Sequence, residues 1–321
     1  MFGKQNKFGQ WSGRDDVPGG RPFLQMPGVS GARLTATPGT PVTTADVTGG
    51  TTLSLTAYTS DRLTLMSEWG EWRAFRLPQT PAGVPERTYS FLASSPWALV
   101  NATPYDIFAF VGADGFVDIE RGPAWSSGTA RAAALARLDG ANVLGINPTR
   151  LYVGTIYASV TNTVDDSYGG THQAGGKRFV WNAFNRVKRH LGVISTTTSY
   201  NYSSTAWRQL EGATGNRVEY VCGLATESIR ALAKNLTSGS TGQNAACGVG
   251  IDSTSANSAI FWGNSLISTS AQIQMAEYVG NPGIGYHAIN WLERTDGVGT
   301  TTWWCTAGGA FQSGFVAEVW M

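Results

Sequence analysis

From Ser199 onward the sequence consists of short runs of β-branched, aromatic and aliphatic residues, separated by turn residues rich in Gly, Ser and Asn. Short apolar runs between turn signals are typical of β-strands, because helices need longer periodic stretches. Many short strands in succession indicate a sandwich or a jelly roll. No repeat of fixed length is visible, which argues against a propeller or a solenoid. The strand-like runs are 199–203, 217–224, 248–252, 259–262, 273–279, 286–293, 300–305 and 315–320.

Two hairpins are predicted in the first half of the chain. Residues 62–65 alternate with a period of two, and 71–76 return as a partner strand after a turn. The second hairpin joins 105–110 to 116–120, because the pair Asp114-Gly115 between them is a strong turn signal.

The predicted fold is therefore all-β and mainly antiparallel. It comprises an extended arm at 1–50, a small β domain at 51–150 and a jelly-roll-like sandwich domain at 151–321. One short helix is predicted at 129–138, where Ala, Arg and Leu have high helix propensity and Asp139-Gly140 can end the helix. The stretch from Lys177 to Leu191 fits either helical or strand spacing, and its aromatic and β-branched residues favour one long strand.

Residues 1–50 lack sustained periodicity and alternate Gly-rich pieces with Pro. Such a segment cannot bury a core of its own. It is either a free tail or an extended arm that becomes ordered on a neighbouring subunit, and we favour the arm.

The charge composition excludes some classes of function. Charged residues make up only 14%, and 23 Lys+Arg against 22 Asp+Glu leave a net charge of +1, which argues against nucleic-acid binding. Apolar runs fall short of the roughly 18 residues of a membrane span. Membrane insertion is therefore not expected, and the polar residues after position 7 predict no signal peptide. A surface with so little charge favours burial against further copies of the chain.

No catalytic, cofactor-binding or metal-binding residue is predicted. There is no GxSxG elbow, and the cysteines are far apart and predicted to be buried thiols. The histidines lie in separate segments without further ligands at metal-binding spacing. These residues are Cys222, Cys247, Cys305, His172, His190 and His287.

Glycan cleavage is the enzymatic alternative, and it requires two carboxylates roughly 5 to 9.5 Å apart. Asp165 and Asp166 are the main candidate pair, although structural roles are favoured for them. The other candidate carboxylates are Glu68, Glu71, Asp118 and Glu120. Trp69, Trp72 and Trp125 are candidates for stacking on a sugar ring, whereas tryptophans in the C-terminal strands are predicted to be core or subunit contacts.

A series of segments resembles a widespread group of tailed-bacteriophage virion proteins described as structural, tail or fibre proteins. It covers about residues 33–190 in order, and each segment alone is weakly specific. The part after Arg217 is similar to the β-rich trimeric heads of phage fibres and decoration proteins. The segments are TPVTTADVTG (40–49), YDIFAF (105–110), GPAW (122–125), RLYVGTI (150–156), KRFVWN (177–182) and NRV (185–187).

The resemblance implies a non-enzymatic structural protein of the virion, assembled in the cytoplasm of the host bacterium. It implies a homotrimeric exterior fibre or appendage that contacts host-surface glycan, and an arm that docks on capsid or tail proteins. A capsid decoration protein and a glycan depolymerase tailspike are the alternatives. The candidate attachment residues in the arm are Phe2, Phe8, Trp11, Arg14 and Phe23.

Overall fold

The computed structural model of the protein describes residues 29–168, 175–239, 242–263, 265–267, 270–306 and 311–321, with the backbone alone given at 265–267. Within these ranges the chain forms 26 strands and one 3₁₀ turn, Leu210–Gly212. The prediction of an all-β, mainly antiparallel fold is confirmed. The attachment residues predicted in the arm lie outside the described residues, and so does His172.

The strands are short, and nearly all of them pair antiparallel. Those of the first half are β1 (Ala32–Thr35), β2 (Val47–Gly50), β3 (Thr52–Ala57), β4 (Arg62–Met66), β5 (Trp72–Arg76), β6 (Glu86–Ser90), β7 (Thr103–Val111), β8 (Val117–Ala124), β9 (Leu135–Leu138), β10 (Ala141–Leu144), β11 (Asn147–Ala158) and β12 (Val164–Asp166). Those of the second half are β13 (Lys177–Arg178), β14 (Val180–Asn182), β15 (Lys188–Ile194), β16 (Ser199–Asn201), β17 (Arg208–Gln209), β18 (Arg217–Cys222), β19 (Ile229–Gly239), β20 (Gln243–Ile251), β21 (Phe261–Trp262), β22 (Ser265–Ile267), β23 (Gln272–Gly280), β24 (Gly285–Thr295), β25 (Thr301–Trp304) and β26 (Gly314–Trp320).

Eight strands of the second half form a jelly roll. One sheet contains the order β15-β26-β19-β23, and the other contains β18-β24-β20-β22. In chain order the eight strands are β15, β18, β19, β20, β22, β23, β24 and β26. Numbered one to eight in that order, they are arranged as 1-8-3-6 in the first sheet and 2-7-4-5 in the second, which is the jelly-roll arrangement of two Greek keys. The predicted jelly-roll sandwich is confirmed. Strand β13 extends the second sheet by pairing parallel to β18, and β12 and β2 follow it.

Large aromatic side chains fill the space between the two sheets. Trp291 on β24 and Phe315 on β26 stack with ring centroids 6.3 Å apart. The Trp291 indole N–H donates to Asn235 Oδ1 at 2.7 Å, so its polar atom is satisfied in the interior. Trp303 is also fully buried. Trp291 and Trp303 therefore belong to the core, as expected, whereas Trp262 and Trp320 remain exposed.

The first half of the chain forms three smaller sheets, with the orders β8-β7-β11-β10-β9, β1-β3-β6 and β4-β5. Both predicted hairpins are confirmed. Met66 pairs with Trp72 across the β4–β5 turn, and Val111 pairs with Val117 across the β7–β8 turn. Gly115 has a φ of 80° in the second turn, a conformation that favours glycine.

The helix predicted at 129–138 is wrong. Residues 135–138 form β9, which pairs with β10 in the register Leu138↔Ala141. Asp139 and Gly140 have φ values of 49° and 90° and form a two-residue hairpin turn. The turn brings β9 and β10 side by side, and the hydrogen bonds between these two strands override the helix propensity of the Ala-rich run.

The stretch from Lys177 to Leu191 forms β13, β14 and the start of β15, and not one long strand. Its break lies at Asn185, which adopts a φ of 52°. The Asn185 side-chain amide donates to the carbonyls of Ser30 and Ala32 at 2.6 and 3.2 Å. The preference for strands is confirmed, and the interruption depends on contacts with a segment more than 150 residues away.

Part of the segment predicted as an arm is built into the sheets. β1 pairs with β3, β2 pairs with β12, and the Asn182 side chain on β14 bonds both backbone groups of Leu34. The two halves also share one core, in which Tyr157 on β11 stacks on Tyr286 on β24 at 4.5 Å. β11 itself pairs with β7 and β10, and the jelly-roll strands begin at Lys188. The limits of the three predicted domains stay a prediction.

Candidate interaction surfaces

The tip of the β4–β5 hairpin forms one wall of a groove of about 890 Å³, which we call the hairpin groove. Trp69 at this tip is 66% exposed. Ser67 Oγ accepts the backbone N–H groups of Trp69 and Glu71 at 3.3 and 3.4 Å and thereby fixes the turn. The groove is lined by residues 66–69, 73–75, 111–113 and 115, and by Thr149 and Arg150.

Two guanidinium groups are held on the walls of the hairpin groove. Arg73 on β5 is paired with Glu71, which directly precedes that strand. Arg150 Nε lies 2.8 Å from Glu120 Oε1, and its guanidinium lies 4.2 Å from the centre of the Phe110 ring. The groove thus combines an exposed indole with fixed hydrogen-bond donors, and this combination suits a ligand with an apolar face and polar edges.

The structure does not bring the three predicted glycan-stacking residues together. Trp69 lines the hairpin groove, whereas the half-buried Trp72 donates its indole N–H to Asp139 Oδ2 at 2.9 Å. Trp125 is buried, and the guanidinium of Arg131 lies 4.5 Å from its ring centre. Arg131 is in turn paired with Asp106 at 2.7 Å. Trp69 is therefore the member of the three whose ring faces a groove.

Asp165 and Asp166 have structural partners. Asp165 accepts from Gly49 N at 2.8 Å and from Lys177 Nζ at 3.1 Å, so it ties β2 and β13 together. Asp166 is buried beside Arg178, and burial raises the pKa of this carboxyl group despite its arginine neighbours. Neither carboxylate lines the hairpin groove.

Two further arginines complete the buried cluster around Asp166. Arg33 donates to the carbonyl of Met321 at 3.0 Å, and burial together with Arg178 and Arg189 lowers its pKa to about 10. Arg189 donates to the carbonyl of Thr43 at 3.1 Å. The cluster therefore joins Arg33 to Met321 after β26 and Thr43 to β15.

The other candidate carboxylates lie around the hairpin groove or beside it. Glu68 lines the groove, and Glu71 and Glu120 pair with the two arginines of its walls. Asp118 accepts from the hydroxyl of Tyr89 at 2.6 Å.

The outer side of the sheet β15-β26-β19-β23 exposes a set of apolar side chains, which we call the apolar face. Cross-strand pairs such as Leu232↔Val316 place them in adjacent rows. A depression of about 270 Å³ lies among Ile194, Leu232 and Val316. The face consists of Ile194, Leu232, Ile273, Met275, Val279, Val316 and Trp320.

Most charges on this side of the sheet are paired with each other, whereas Lys234 lines the depression with its ammonium 5.4 Å from the centre of the Phe311 ring. Glu318 lies 2.6 Å from Lys188 and 3.5 Å from His190, and Arg230 lies 2.5 Å from Glu277. Lys188 and His190 lower the pKa of Glu318. Sequence reasoning missed this surface, although the alternation of polar and apolar residues in β19 and β23 is a usable signal for an outward apolar row.

In the part of the chain that the structure describes, no group of three His, Cys, Asp or Glu side chains is arranged to hold a metal ion. Among those same residues, no helix has the length and hydropathy needed to cross a membrane. The three cysteines are free thiols, and burial raises the pKa of Cys222 to about 11.

No protein-family model and no curated protein matches the chain. Among solved structures, the insecticidal delta-endotoxin Cry8Ea1 of Bacillus thuringiensis aligns at 7% identity over 90% of this chain and 51% of the toxin chain, with a TM-score of 0.25. A structure of the Gx strain of infectious bursal disease virus aligns at 12% identity over 88% and 80% of the chains, with a TM-score of 0.25. A Cry1Da tryptic core variant of Bacillus thuringiensis aligns at 6% identity over 86% and 50%, with a TM-score of 0.20.

The chain thus spans about half the length of the two toxin chains that it matches. TM-scores of this size carry no argument about the protein. The fold assignment consequently depends on the strand order of the chain itself.

Proposed function

We propose that this protein is a non-enzymatic structural component of a tailed-phage virion, a trimeric exterior fibre or appendage protein that contacts host-surface glycan. The observation that carries the proposal is the apolar face. Large contiguous apolar surfaces are uncommon on monomeric proteins and mark sites of association. Further copies of the chain are the occupants that we propose for it.

The arrangement of charges favours contact between copies. Lys188, Arg230, Glu277 and Glu318 are already paired within the sheet, so covering these four leaves no unpaired charge among them, and the ammonium of Lys234 lies against the Phe311 ring. The apolar side chains around them gain roughly 25 cal/mol for each Å² removed from water. Closed cyclic symmetry is the usual form of such self-association.

The hairpin groove supports the contact with glycan. It is built from β4, β5, the β7–β8 turn and the start of β11, and none of its lining residues belongs to the sheet that carries the apolar face. Trp69 and the groove therefore stay accessible when the apolar face is covered. The segment before Val29 supplies the proposed attachment to capsid or tail proteins.

The oligomeric state tests the proposal directly. Light scattering of the purified full chain is expected to give three times 34.2 kDa. The double variant Met275→Glu, Val316→Glu should give the mass of one chain. Ile146→Glu is the matched control, because Ile146 is 90% exposed in the turn between β10 and β11 and lies outside the apolar face. A monomeric wild-type chain would contradict the trimer.

The number of copies per particle tests the assignment to the virion. Quantitative mass spectrometry of purified particles should find the chain in small multiples of three. A copy number close to that of the shell protein would favour the decoration alternative, and absence from the particles would contradict the proposal.

A further inference from the structure

A second concave site lies where β21, at the edge of the sheet that carries the apolar face, adjoins β20 and β24 of the other jelly-roll sheet. Two indole rings are in contact there. The ring centroids of Trp207 and Trp262 are 5.7 Å apart, and the angle between the two ring planes is 84°. Beside them is a cleft of about 120 Å³, which Trp262 lines together with Asn244, Arg294 and Asp296. We call this site the indole cleft.

The β20 and β24 residues of the indole cleft lie on the side of their sheet that faces away from the jelly-roll core. Cys247 Sγ points toward the carbonyl of Ala233 in the facing sheet, at 3.8 Å. Successive side chains of a strand point to opposite sides, so Ala246 and its cross-strand partner Arg294 point outward. Trp262 itself lies on β21, which pairs with β23 at the edge of the sheet that carries the apolar face, and the residues that line the cleft include no member of that face.

The position of Trp207 is determined by its neighbours. Gly248 leaves room for the ring, since a Cβ at this position would lie 2.8 Å from Trp207 Cζ3. The guanidinium of Arg294 lies 5.4 Å from the ring centre. Trp207 in turn supports Trp262, whose ring is edge-on to it and whose side chain remains 41% exposed. The aromatic wall of the cleft is thus preformed.

The polar end of the cleft is also fixed. Asp296 Oδ2 accepts the backbone N–H and the side-chain amide of Asn244 at 2.7 and 3.1 Å. Asp296 Oδ1 accepts the N–H of Val298 at 3.0 Å. A carboxylate has about four acceptor positions, so one remains on Oδ1. The Asn244 amide oxygen and the Arg294 guanidinium add an acceptor and a donor.

We infer that the indole cleft binds a single pyranose ring at the end of a glycan chain. An exposed indole face fits the apolar C–H face of a sugar, and planar carboxylate, amide and guanidinium groups fit its hydroxyls. The cleft is far smaller than the roughly 300–1,000 Å³ of sites that enclose larger ligands. Arg294 and Asp296 balance each other, which favours a neutral sugar. This site is additional to the hairpin groove of the proposed function.

Saturation-transfer NMR on the full chain tests the inference. The probes are the methyl glycosides of glucose, galactose, mannose, N-acetylglucosamine and rhamnose. At least one should give a saturable signal that weakens tenfold or more in Trp262→Ala. Trp262→Phe should retain binding, and Asp296→Asn should weaken it without a change in fold by circular dichroism. Trp320→Ala is the matched control, because Trp320 on β26 has nearly the same exposure, 42%, and does not line the cleft.

Two results would overturn the inference. The first is the lack of a saturable signal with all five glycosides. The second is a signal that persists in a folded Trp262→Ala variant. If Trp69→Ala then abolishes that signal, the sugar binds in the hairpin groove. That second result would support the glycan contact of the proposed function, so the two proposals can fail separately.

Discussion

The Asp166 carboxylate lies 3.1 Å from the Arg178 guanidinium, and each side chain is only 3% exposed. Arg33 and Arg189 act on the same carboxyl group, so three guanidinium groups share one buried carboxylate. Removing one partner of a buried pair leaves uncompensated charge in the interior. We expect Asp166→Asn to lower the free energy of unfolding by about 3–5 kcal/mol, as measured by urea denaturation.

The pair of Lys177 and Asp165 provides the control for this measurement. Its N–O distance is the same, 3.1 Å, but the Lys177 side chain is 41% exposed. Lys177→Met should therefore cost less than about 1 kcal/mol. Equal losses in both variants would show that burial does not govern the Asp166 cluster.

Glu293 predicts a dependence of stability on pH. Burial raises the pKa of Glu293 to about 7, although Tyr200, Arg208 and the backbone N–H of Glu211 all donate to this carboxylate. The folded protein thus holds the proton more tightly than the unfolded chain. The stability that this gives is complete below pH 4.5 and is lost as the pH rises to about 7.

We expect this loss to be of the order of 3 kcal/mol in the wild-type chain. Glu293→Gln carries no titrating group, so its unfolding free energy should fall less over the same range. Urea denaturation at pH 5, 6, 7 and 8 measures both curves, with Glu71→Gln at the surface as the control. Parallel curves for the wild type and Glu293→Gln would exclude this carboxyl group as the cause.

Gly154 is a position where a single methyl group should be costly. A Cβ on this β11 residue would collide with the carbonyl oxygen of Trp181 and lie 2.7 Å from Leu34 Cδ1. Since both neighbours are buried, we expect Gly154→Ala to destabilise the fold by about 1–3 kcal/mol. Gly128→Ala is the control, because nothing lies within 4 Å of its Cβ position. A change within about 0.5 kcal/mol in both variants would contradict the prediction.

The hairpin groove predicts an effect on adhesion. Trp69→Ala should weaken binding of the full chain to host cells or to their purified polysaccharide by about tenfold, which corresponds to about 1.4 kcal/mol. The reason is the loss of the exposed ring that lines the groove, while the rest of the hairpin is unchanged. A pull-down titration against polysaccharide measures the effect, with Ile146→Ala as the control. Undiminished binding by Trp69→Ala would remove the groove as the contact.

The strands and hairpins could be predicted because their signals are local. Asp114-Gly115 and the alternation in β4 and β5 each lie within a few residues, and the structure confirms both hairpins. The run that forms β9 shows the limit of such signals. Its composition favours a helix, but the turn at Asp139-Gly140 brings β10 alongside, and cross-strand pairing determines the structure.

The surfaces could not be predicted to the same degree, because distant segments build them. Trp207 and Trp262 are 55 positions apart, and only the jelly-roll order brings their rings into contact. Trp125 has the sequence features of a stacking residue, yet Arg131 covers it because Asp106 on β7 holds that guanidinium. Exposure of an aromatic residue depends on such neighbours, and a strand pattern does not contain them.

The hydrogen bonds that hold β1 determine how the protein would carry a mechanical load. A pull directed along β1 would load its backbone hydrogen bonds to β3 and the two hydrogen bonds between Leu34 and Asn182 at the same time. Bonds loaded simultaneously share a force, whereas bonds opened one after another do not. Arg33 passes part of that force to Met321, beside the start of β15. A pull on this end of the molecule would therefore be distributed over strands from both halves of the chain.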